Sequence, residues 1–593
     1  MFLARNAAFG KRFLYCLGAI AVLFFVPLVV YWPCLKSPFV FDSALNILDA
    51  NSVRWEYASL RLTRWLTTLS FLSHHVFFGP DPFYYRVGNL VLHSLNGFLV
   101  GVLARALLDK FSPVLTHEKK TILVFLTVML FILHPLAVYG VAYAIQRSIL
   151  LTTFFSLLST LCYGRALLSG RARWFYVAAV FYYLGLAAKE TCVMLPAVLF
   201  LSTFVFRPVS LKSLNGIFLP LFLMGLCAFF FTTRQQEILG QVYEPIVAQA
   251  ISSGQSFGET GQNFFLTSIV FQGFLFFRYL FLWVVPYLPW VAIDLSFAFP
   301  ATVFAMPEIF GFVFYLLFPL GSFFLWRRGG AWRIVATALL WPWFLFWTEF
   351  TVVRLTESFV LYRSYLWMSG VFPVLPFIFA RIQMRHLLML GFATLAILTG
   401  LTINRVQTFT SPLAVWQDAV DKIDLQLPPE RLFSAGRSLS NLGKYLAMDG
   451  RYAESLQAYT RALAYQPRHY KNYCGIGANQ SFLKKYPEAL AAFDRCRELN
   501  PAYEQAYYNL GNVYNLLGDT GMAEKNFLQA IELGAEKVAD AYFNLGNLYL
   551  RQSKFERAEK MYRDYLSIRP HDLDASKNLA FVLYKMGRAN LRK

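Results

Sequence analysis

The chain has 593 residues, of which 57% are apolar, 18% aromatic and only 15% charged, with a mean hydropathy of +0.46. A water-soluble protein carries roughly a quarter charged residues; much of this surface therefore does not face water, and disorder, collagen and a small disulfide scaffold are excluded. The formal charge of +20 is spread as short Arg/Lys patches between apolar runs, not as a basic module interleaved with aromatics. It reads as membrane topology and not as nucleic-acid binding.

In chain order, Arg5, Lys11 and Arg12 precede an apolar stretch from Phe13 to Trp32 that lacks a small-residue cleavage site. This predicts a retained anchor with a cytoplasmic N-terminus. Apolar runs follow at about 88–107, 121–139, 148–168, 174–188, 191–206 and 214–232. Lys110, Lys119, Lys120, Arg165, Arg171, Arg173, Arg207 and Lys212 fall on alternate, cytoplasmic turns. Residues 264–285 are apolar enough to cross, but a crossing there would put Arg327 and Arg328 outside, so the charge pattern assigns them to an interfacial or re-entrant helix. Further runs at about 304–325, 331–349, 365–382 and 386–403 bring the expectation to about eleven spans of ~20 residues. The C-terminal part then lies outside.

Residues 411–593 have ordinary soluble composition and a fixed period. Gly443, Gly477, Gly511 and Gly546 recur at intervals of 34, 34 and 35, continued by Ala580. Twelve residues on stand Ser455, Ala489, Ala523 and Ala558, and four further on Tyr459, Phe493, Phe527 and Tyr562. Small residues for close helix approach, large partners for them, and Pro467, Pro501 and Pro570 after the second helices resemble the tetratricopeptide repeat. The expected fold is thus all-α: a polytopic membrane helical bundle over 1–410 with outer loops 33–87 and 233–303, a linker helix region over 411–435, and a repeat solenoid of four repeats plus a terminal helix over 436–593. Tyr445, Tyr473, Tyr508 and Asn509 are candidate groove residues, with packing of the aromatics as the alternative. Cys474 and Cys496 fall on the two helices of one repeat, where they are able to meet.

On this topology Asp42 stands just past the first span, at the water boundary. That position suits a general base acting on a hydroxyl, a metal ligand, or a simple cap. Arg54, Arg61, Arg64, Arg86, Arg147, Lys189 and Arg363 also face outside, where the positive-inside rule disfavours them. A lipid-linked phosphate gives such cations a role. Local acids such as Glu56, Glu190 and Glu357 offer the alternative of plain ion pairs. His134 ends the third span, and His93, inside the second, reads as a hydrogen-bonded core residue.

The order Phe39-Val40-Phe41-Asp42, Arg64-Trp65-Leu66-Thr67, Asn89-Leu90-Val91-Leu92-His93, His134-Pro135, Gln146-Arg147-Ser148, Lys189-Glu190-Thr191, Tyr362-Arg363-Ser364-Tyr365-Leu366 and Trp416-Gln417-Asp418-Ala419-Val420 resembles the TMTC (transmembrane and tetratricopeptide-repeat) proteins of the GT-C glycosyltransferase superfamily. The resemblance runs over nearly the whole chain. It implies transfer of a sugar from a polyprenyl-phosphate donor to a hydroxyl acceptor on protein, at the outer face. It further implies Asp42 as catalytic acid-base residue and Arg64 as the arginine of the following motif. The sequence departs from the family at Ser43, where a second aspartate is common, and at Trp65, where proline is common. Arg64, Arg147, Lys189 and Arg363 are the expected donor-phosphate cations, supported by His134, Glu190 and Glu357. If a divalent metal takes part, Asp42, Asp49 or Asp81 would hold it. Expected partners are membrane lipid, the lipid-linked sugar and an acceptor protein on the repeats, and no nucleic acid. The expected location is a bacterial inner membrane with the repeats in the periplasm, or lumenal in a eukaryote. Two other readings stay open: a non-catalytic membrane-anchored repeat scaffold, and a lipid-linked oligosaccharide transferase or ligase.

Overall fold

The structure is a computed structural model that describes residues 18, 21–40, 64–206, 219–228, 264–424, 426–534 and 538–590. The described residues form helices and connecting turns, with one isolated β-bridge between Leu295 and Phe359. The chain divides into two compact units, Met1–Ser434 and Ala435–Lys593.

The first unit contains α1 (Ala21–Leu35), α2 (Trp65–Phe78), α3 (Pro82–Phe111), α4 (His117–Ile132), α5 (Arg147–Ser169), α6 (Arg173–Ala188), α7 (Leu195–Phe206), α8 (Phe264–Val284), α9 (Glu308–Arg327), α10 (Ala331–Leu345), α11 (Met384–Thr408) and α12 (Pro412–Val420). By length and apolarity five of the described helices are able to cross a membrane: α3, Ala144–Ser169, α8, α9 and α11. A sixth is obtained if α4 and Pro135–Val141, bent by 46°, count as one. These are fewer than the about eleven expected. Ala21–Leu35, Glu190–Phe206 and Leu219–Ala228 are apolar but shorter, and the expected run 214–232 lies partly outside the described residues.

The contacts define two ends of this unit. At one end Lys110 donates to the Phe206 carbonyl (3.1 Å), Lys119 donates to that of Ile382 (2.8 Å), and Leu107, Ile334 and Val374 share a cluster with Phe206. At the other, Lys189, Gln146 and Tyr362 meet. The helix α6 joins the two, starting at Arg173 and ending beside Lys189.

The helix α8 is long and apolar enough to cross. Near its start Phe264 faces Phe299, whose N–H donates to the Arg431 carbonyl (2.7 Å). At its finish Trp283 donates to Ser364 (2.9 Å) and stacks on His134. Between them Gln272 donates to the Ser358 carbonyl (2.8 Å), and Gly273 lies against Phe312 in the first turns of α9. Its last turn also meets Phe372, two residues before Val374 of the Leu107 cluster, and Phe276 and Phe277 pack on Phe318 further along α9.

Residues 411–434, expected as a linker, are packed into the first unit. Ser411 caps α12 by accepting from Ala414 N (3.1 Å). Asp418 binds Arg405 (3.0 Å) and Lys422 (2.7 Å), and both cations also donate to the Val291 carbonyl. These bonds account for the acidic residue inside the Trp416–Val420 motif.

The second unit stacks helix pairs: α13 (Ala435–Met448) with α14 (Tyr452–Tyr465), α15 (Tyr470–Phe482) with α16 (Tyr486–Leu499), α17 (Glu504–Leu517) with α18 (Thr520–Gly534), α19 (Ala539–Arg551) with α20 (Phe555–Ile568), and a terminal α21 (Leu573–Asn590). A Cβ added at Gly443, Gly477, Gly511 or Gly546 would meet the ring of Tyr459, Phe493, Phe527 or Tyr562 at 2.7–3.0 Å. The small residue is therefore required by the large one sixteen positions later, which explains the period. Cys474 and Cys496 form a disulfide across α15 and α16, Cα to Cα 5.4 Å.

Candidate functional site

The Lys189 end is built where helices break. Between α4 and α5 the chain turns through His134–Gln146 in short 3-10 and α segments, which strands backbone carbonyls that a continuous helix would have used. Buried polar side chains answer them. Asn89 donates to the carbonyls of Val141 (3.2 Å) and Ala144 (3.1 Å), and Arg86 to that of Ala142 (3.0 Å). His93 lies between the Tyr365 hydroxyl (2.7 Å) and the Ile132 carbonyl (3.0 Å), a core histidine as its sequence position predicts. Asn89, His93 and Asn96 follow helical spacing, which aligns them as one polar stripe on α3.

Among the described residues, two arginines are held by carbonyls and not by carboxylates. Arg86 also grips the carbonyls of Leu35 (3.3 Å), Ser37 and Pro38 (2.7 Å), pinning the chain just before Asp42. Sequence reading left Arg86 among the outer cations without a task; its signal was its place one turn before Asn89. Arg147 donates to Asn89 (3.0 Å), the Ser70 carbonyl (3.1 Å) and the Tyr85 carbonyl (2.9 Å), with its guanidinium over the Phe71 ring. Phe39 packs on Tyr85 and Ala144, next to Arg147.

The remaining candidate cations meet acids. Arg64, in the left-handed region at φ 61°, forms a two-bond ion pair with Glu190, its Nε 2.9 Å from Oε2. Arg363 is buried between Glu349 (3.0 Å) and Glu357 (2.9 Å), and Arg354 also binds Glu349 (2.9 Å). Burial opposes the Arg363 charge, but these carboxylates hold its pKa above the ordinary arginine value. Glu349 was not among the candidates; no motif surrounds it, and only the fold returns it to Arg363.

Lys189 sits among all of these. Its ammonium donates to Gln146 (3.3 Å) and lies 5.0 Å from the centre of the Tyr362 ring. Burial, then the neighbouring Arg64 charge, pulls its pKa down to about 7, with Glu190 opposing. Among these described residues the cations Arg64, Arg86, Arg147, Lys189, Arg354 and Arg363 outnumber the acids Glu190, Glu349 and Glu357 that meet them, and Arg86, Arg147, Lys189 and Arg363 are buried.

Other expected residues take different places. Asp42 and Asp49 lie outside the described residues. Asp81 caps α3 by accepting from Phe83 N (2.9 Å), because Pro82 at the first helical position leaves that N–H as the one to satisfy; it is not gathered into a ligand set. Among the described residues no three His, Cys, Asp or Glu side chains are grouped to hold a metal. His134 caps Pro135–Ala137 through Leu136 N (3.3 Å) and stacks on Trp283 at 4.4 Å.

In the repeats Tyr473 donates to the Pro467 carbonyl (3.1 Å), Tyr508 packs beside Phe527, Asn509 accepts from Gln505 (3.2 Å), and Tyr445 is half-buried beside Lys444. Their bonds serve helix packing. A row of amides was missed: Asn544 donates to Asn512 (2.8 Å) and Asn578 to Asn547 (3.0 Å), linking the first helices of successive repeats. Its signal was asparagine two before or one after the periodic glycine.

The second unit is a helical-repeat domain, and residues 502–571 match the tetratricopeptide repeat family. A 90-residue stretch is 32% identical to heat shock protein STI1 of Saccharomyces cerevisiae and spans 15% of each protein. The chain also resembles a solved tetratricopeptide-repeat protein of Thermus thermophilus (22% identity, 33% of this chain and 97% of that one, TM-score 0.25). MamA from Desulfovibrio magneticus is similar at 20% identity, over 27% of this chain and 97% of that one, TM-score 0.22. The first repeat domain of Spaghetti, solved with an HSP90 peptide, is 21% identical over 20% of this chain and 95% of that one, TM-score 0.19. These likenesses are of fold.

Proposed function

We propose that the chain is an integral-membrane glycosyltransferase of the GT-C kind, moving a sugar from a polyprenyl-phosphate donor to a hydroxyl on a polypeptide held by the repeats. The observation that carries this reading is the excess of buried cations around Lys189 at one end of an apolar helical unit. Cations placed in apolar surroundings are costly and mark functional sites. Membrane residence is supported by the exposed Phe310, Phe314, Leu317 and Phe324 of α9 and Met389, Phe392 and Ile397 of α11, an apolar belt that water does not tolerate. An outward, oxidising side for the repeats is supported by the Cys474–Cys496 disulfide.

In this reading the donor phosphate docks on Lys189 and Arg64, whose positive charge makes it a better leaving group. Glu190 fixes Arg64, while Arg147 and Arg86 hold the chain on either side of the mouth. Asp42, four residues beyond the Arg86-anchored Pro38, takes the proton of the acceptor hydroxyl as its oxygen attacks the anomeric carbon. The bond to the phosphate oxygen breaks, polyprenyl phosphate leaves, and the anomeric centre inverts. The amide row Asn512–Asn544 and Asn547–Asn578 offers donors and acceptors to a peptide backbone.

Purified protein in lipid, given a radiolabelled polyprenyl-phosphate hexose and an acceptor protein, tests this. Asp42→Asn and Lys189→Met should each lower transfer at least 100-fold, and undiminished transfer in both would remove the reading. A second reading, a membrane-anchored scaffold, is favoured by the match of residues 502–571 to a family of protein-binding repeats. It expects no transfer from the wild-type chain and partner capture that survives both substitutions.

A further inference from the structure

A cavity of about 680 Å³ lies between α3, α5, α7 and α10, at the Lys110 end. Leu103, Leu107, Leu161, Leu199, Ile334 and Trp341 line it, and among the described residues Arg165 is the one charged side chain in its wall. Arg165 rests on the Trp174 ring at 4.4 Å and makes no ion pair among the described residues. Lys110 stands at the rim, its ammonium 3.1 Å from the carbonyl of Phe206, another lining residue. Arg171 and Arg173 follow on the turn after α5. Nearby Asp109 is engaged by Arg105 and Lys120. The arrangement is a hydrocarbon-walled chamber with positive charge at its mouth.

That combination matches a phosphate-headed lipid. Apolar pockets of several hundred Å³ with a few convergent polar groups are ligand sites, and basic pockets between membrane helices on the cytoplasmic side take anionic headgroups. The site is separate from the Lys189 cluster, because the 16 residues of α6 lie between Arg173 and Lys189, about 24 Å at helical rise. It faces the leaflet where positive residues concentrate, so a bilayer lipid of that leaflet supplies the phosphate at the right depth. We propose that the cavity between α3, α5, α7 and α10 binds an anionic glycerophospholipid, its acyl chains against Leu103, Leu199 and Trp341 and its phosphate on Arg165 and Lys110. The inference rests on the membrane reading above and does not need the transfer reaction.

Full-length protein extracted in mild detergent and weighed intact by native mass spectrometry should carry one phosphatidylglycerol per chain. A Cβ at Gly164 meets nothing within 4 Å and the residue lines the cavity, so Gly164→Phe should fill the chamber, melt like the wild type and lose the lipid. Arg165→Gln should weaken phosphatidylglycerol binding at least tenfold and leave phosphatidylcholine binding unchanged. Equal lipid retention by wild type, Gly164→Phe and Arg165→Gln would overturn the site. So would equal affinity for phosphatidylcholine, or retention of a polyprenyl phosphate in place of a phospholipid. Carbonate washing of native membranes separates the two layers of argument: release of the chain removes the membrane reading and this site together, whereas an embedded chain without bound lipid removes the site alone.

Discussion

The repeat domain and the apolar unit both close helix against helix, but over different ranges of chain. In the repeats the decisive contacts are near neighbours: Gly511 meets Phe527, and Ser455 donates to the Gly443 carbonyl twelve residues back. In the apolar unit they are distant: His93 bonds Tyr365 across 272 positions, and Arg64 reaches Glu190 across 126. The repeats use size complementarity, because water already drives their apolar faces together. In the apolar unit buried polar side chains bond across long stretches of chain instead, as Asn89, His93 and Arg147 do. Polar side chains of the repeats also bond mostly within one repeat or to the next, as Ser455 with Gly443 and Asn544 with Asn512 do.

This contrast makes specific predictions. Arg86→Met should strip donors from four carbonyls and cost about 3 kcal/mol or more, read as a large fall in the melting temperature of the full chain in detergent, with the repeat domain's own transition unmoved. A single transition that shifts as a whole would show that the two units fold together. Cys474→Ser should cost about 3 kcal/mol by freeing a loop of 22 residues, and dithiothreitol should reproduce that loss in the repeat transition alone. Gly511→Ala should cost about 1–3 kcal/mol by overpacking against the Phe527 ring, and Phe527→Leu should recover part of it in the double variant. A loss equal with and without the second change would mean that the ring is not what restricts the glycine.

The last prediction concerns charge. Lys189 titrates near 7 in the folded chain and at about 10.4 when unfolded. The unfolded chain therefore binds more protons between those values, and stability rises with pH across that window. Donor affinity should move the other way, falling about tenfold per pH unit above 7 as the ammonium is lost. Lys189→Arg should flatten that profile, measured as binding of the labelled donor between pH 6 and 9.

Much of the repeat domain was legible because its contacts lie within one period: Gly443 and Tyr459, or Cys474 and Cys496, are close in sequence and fall on facing helices by spacing alone. In the site, the cations were legible because charge in an apolar context stands out. Their partners were not. Glu349 belongs to no motif, Arg86 donates to carbonyls left at the end of α1 and in the broken segment after α4, and Asp81 turned out to serve the start of α3.

Composition and period by themselves determined an apolar helical part, a repeat part, and the residues that pack within each repeat, since those follow from burial and helical spacing. Tertiary structure alone decided which cation keeps which acid, and that residues 411–434 belong with the first unit. The physical reason is range: helix periodicity is written locally, whereas a buried charge is satisfied by whichever groups the fold brings within about 3 Å of it.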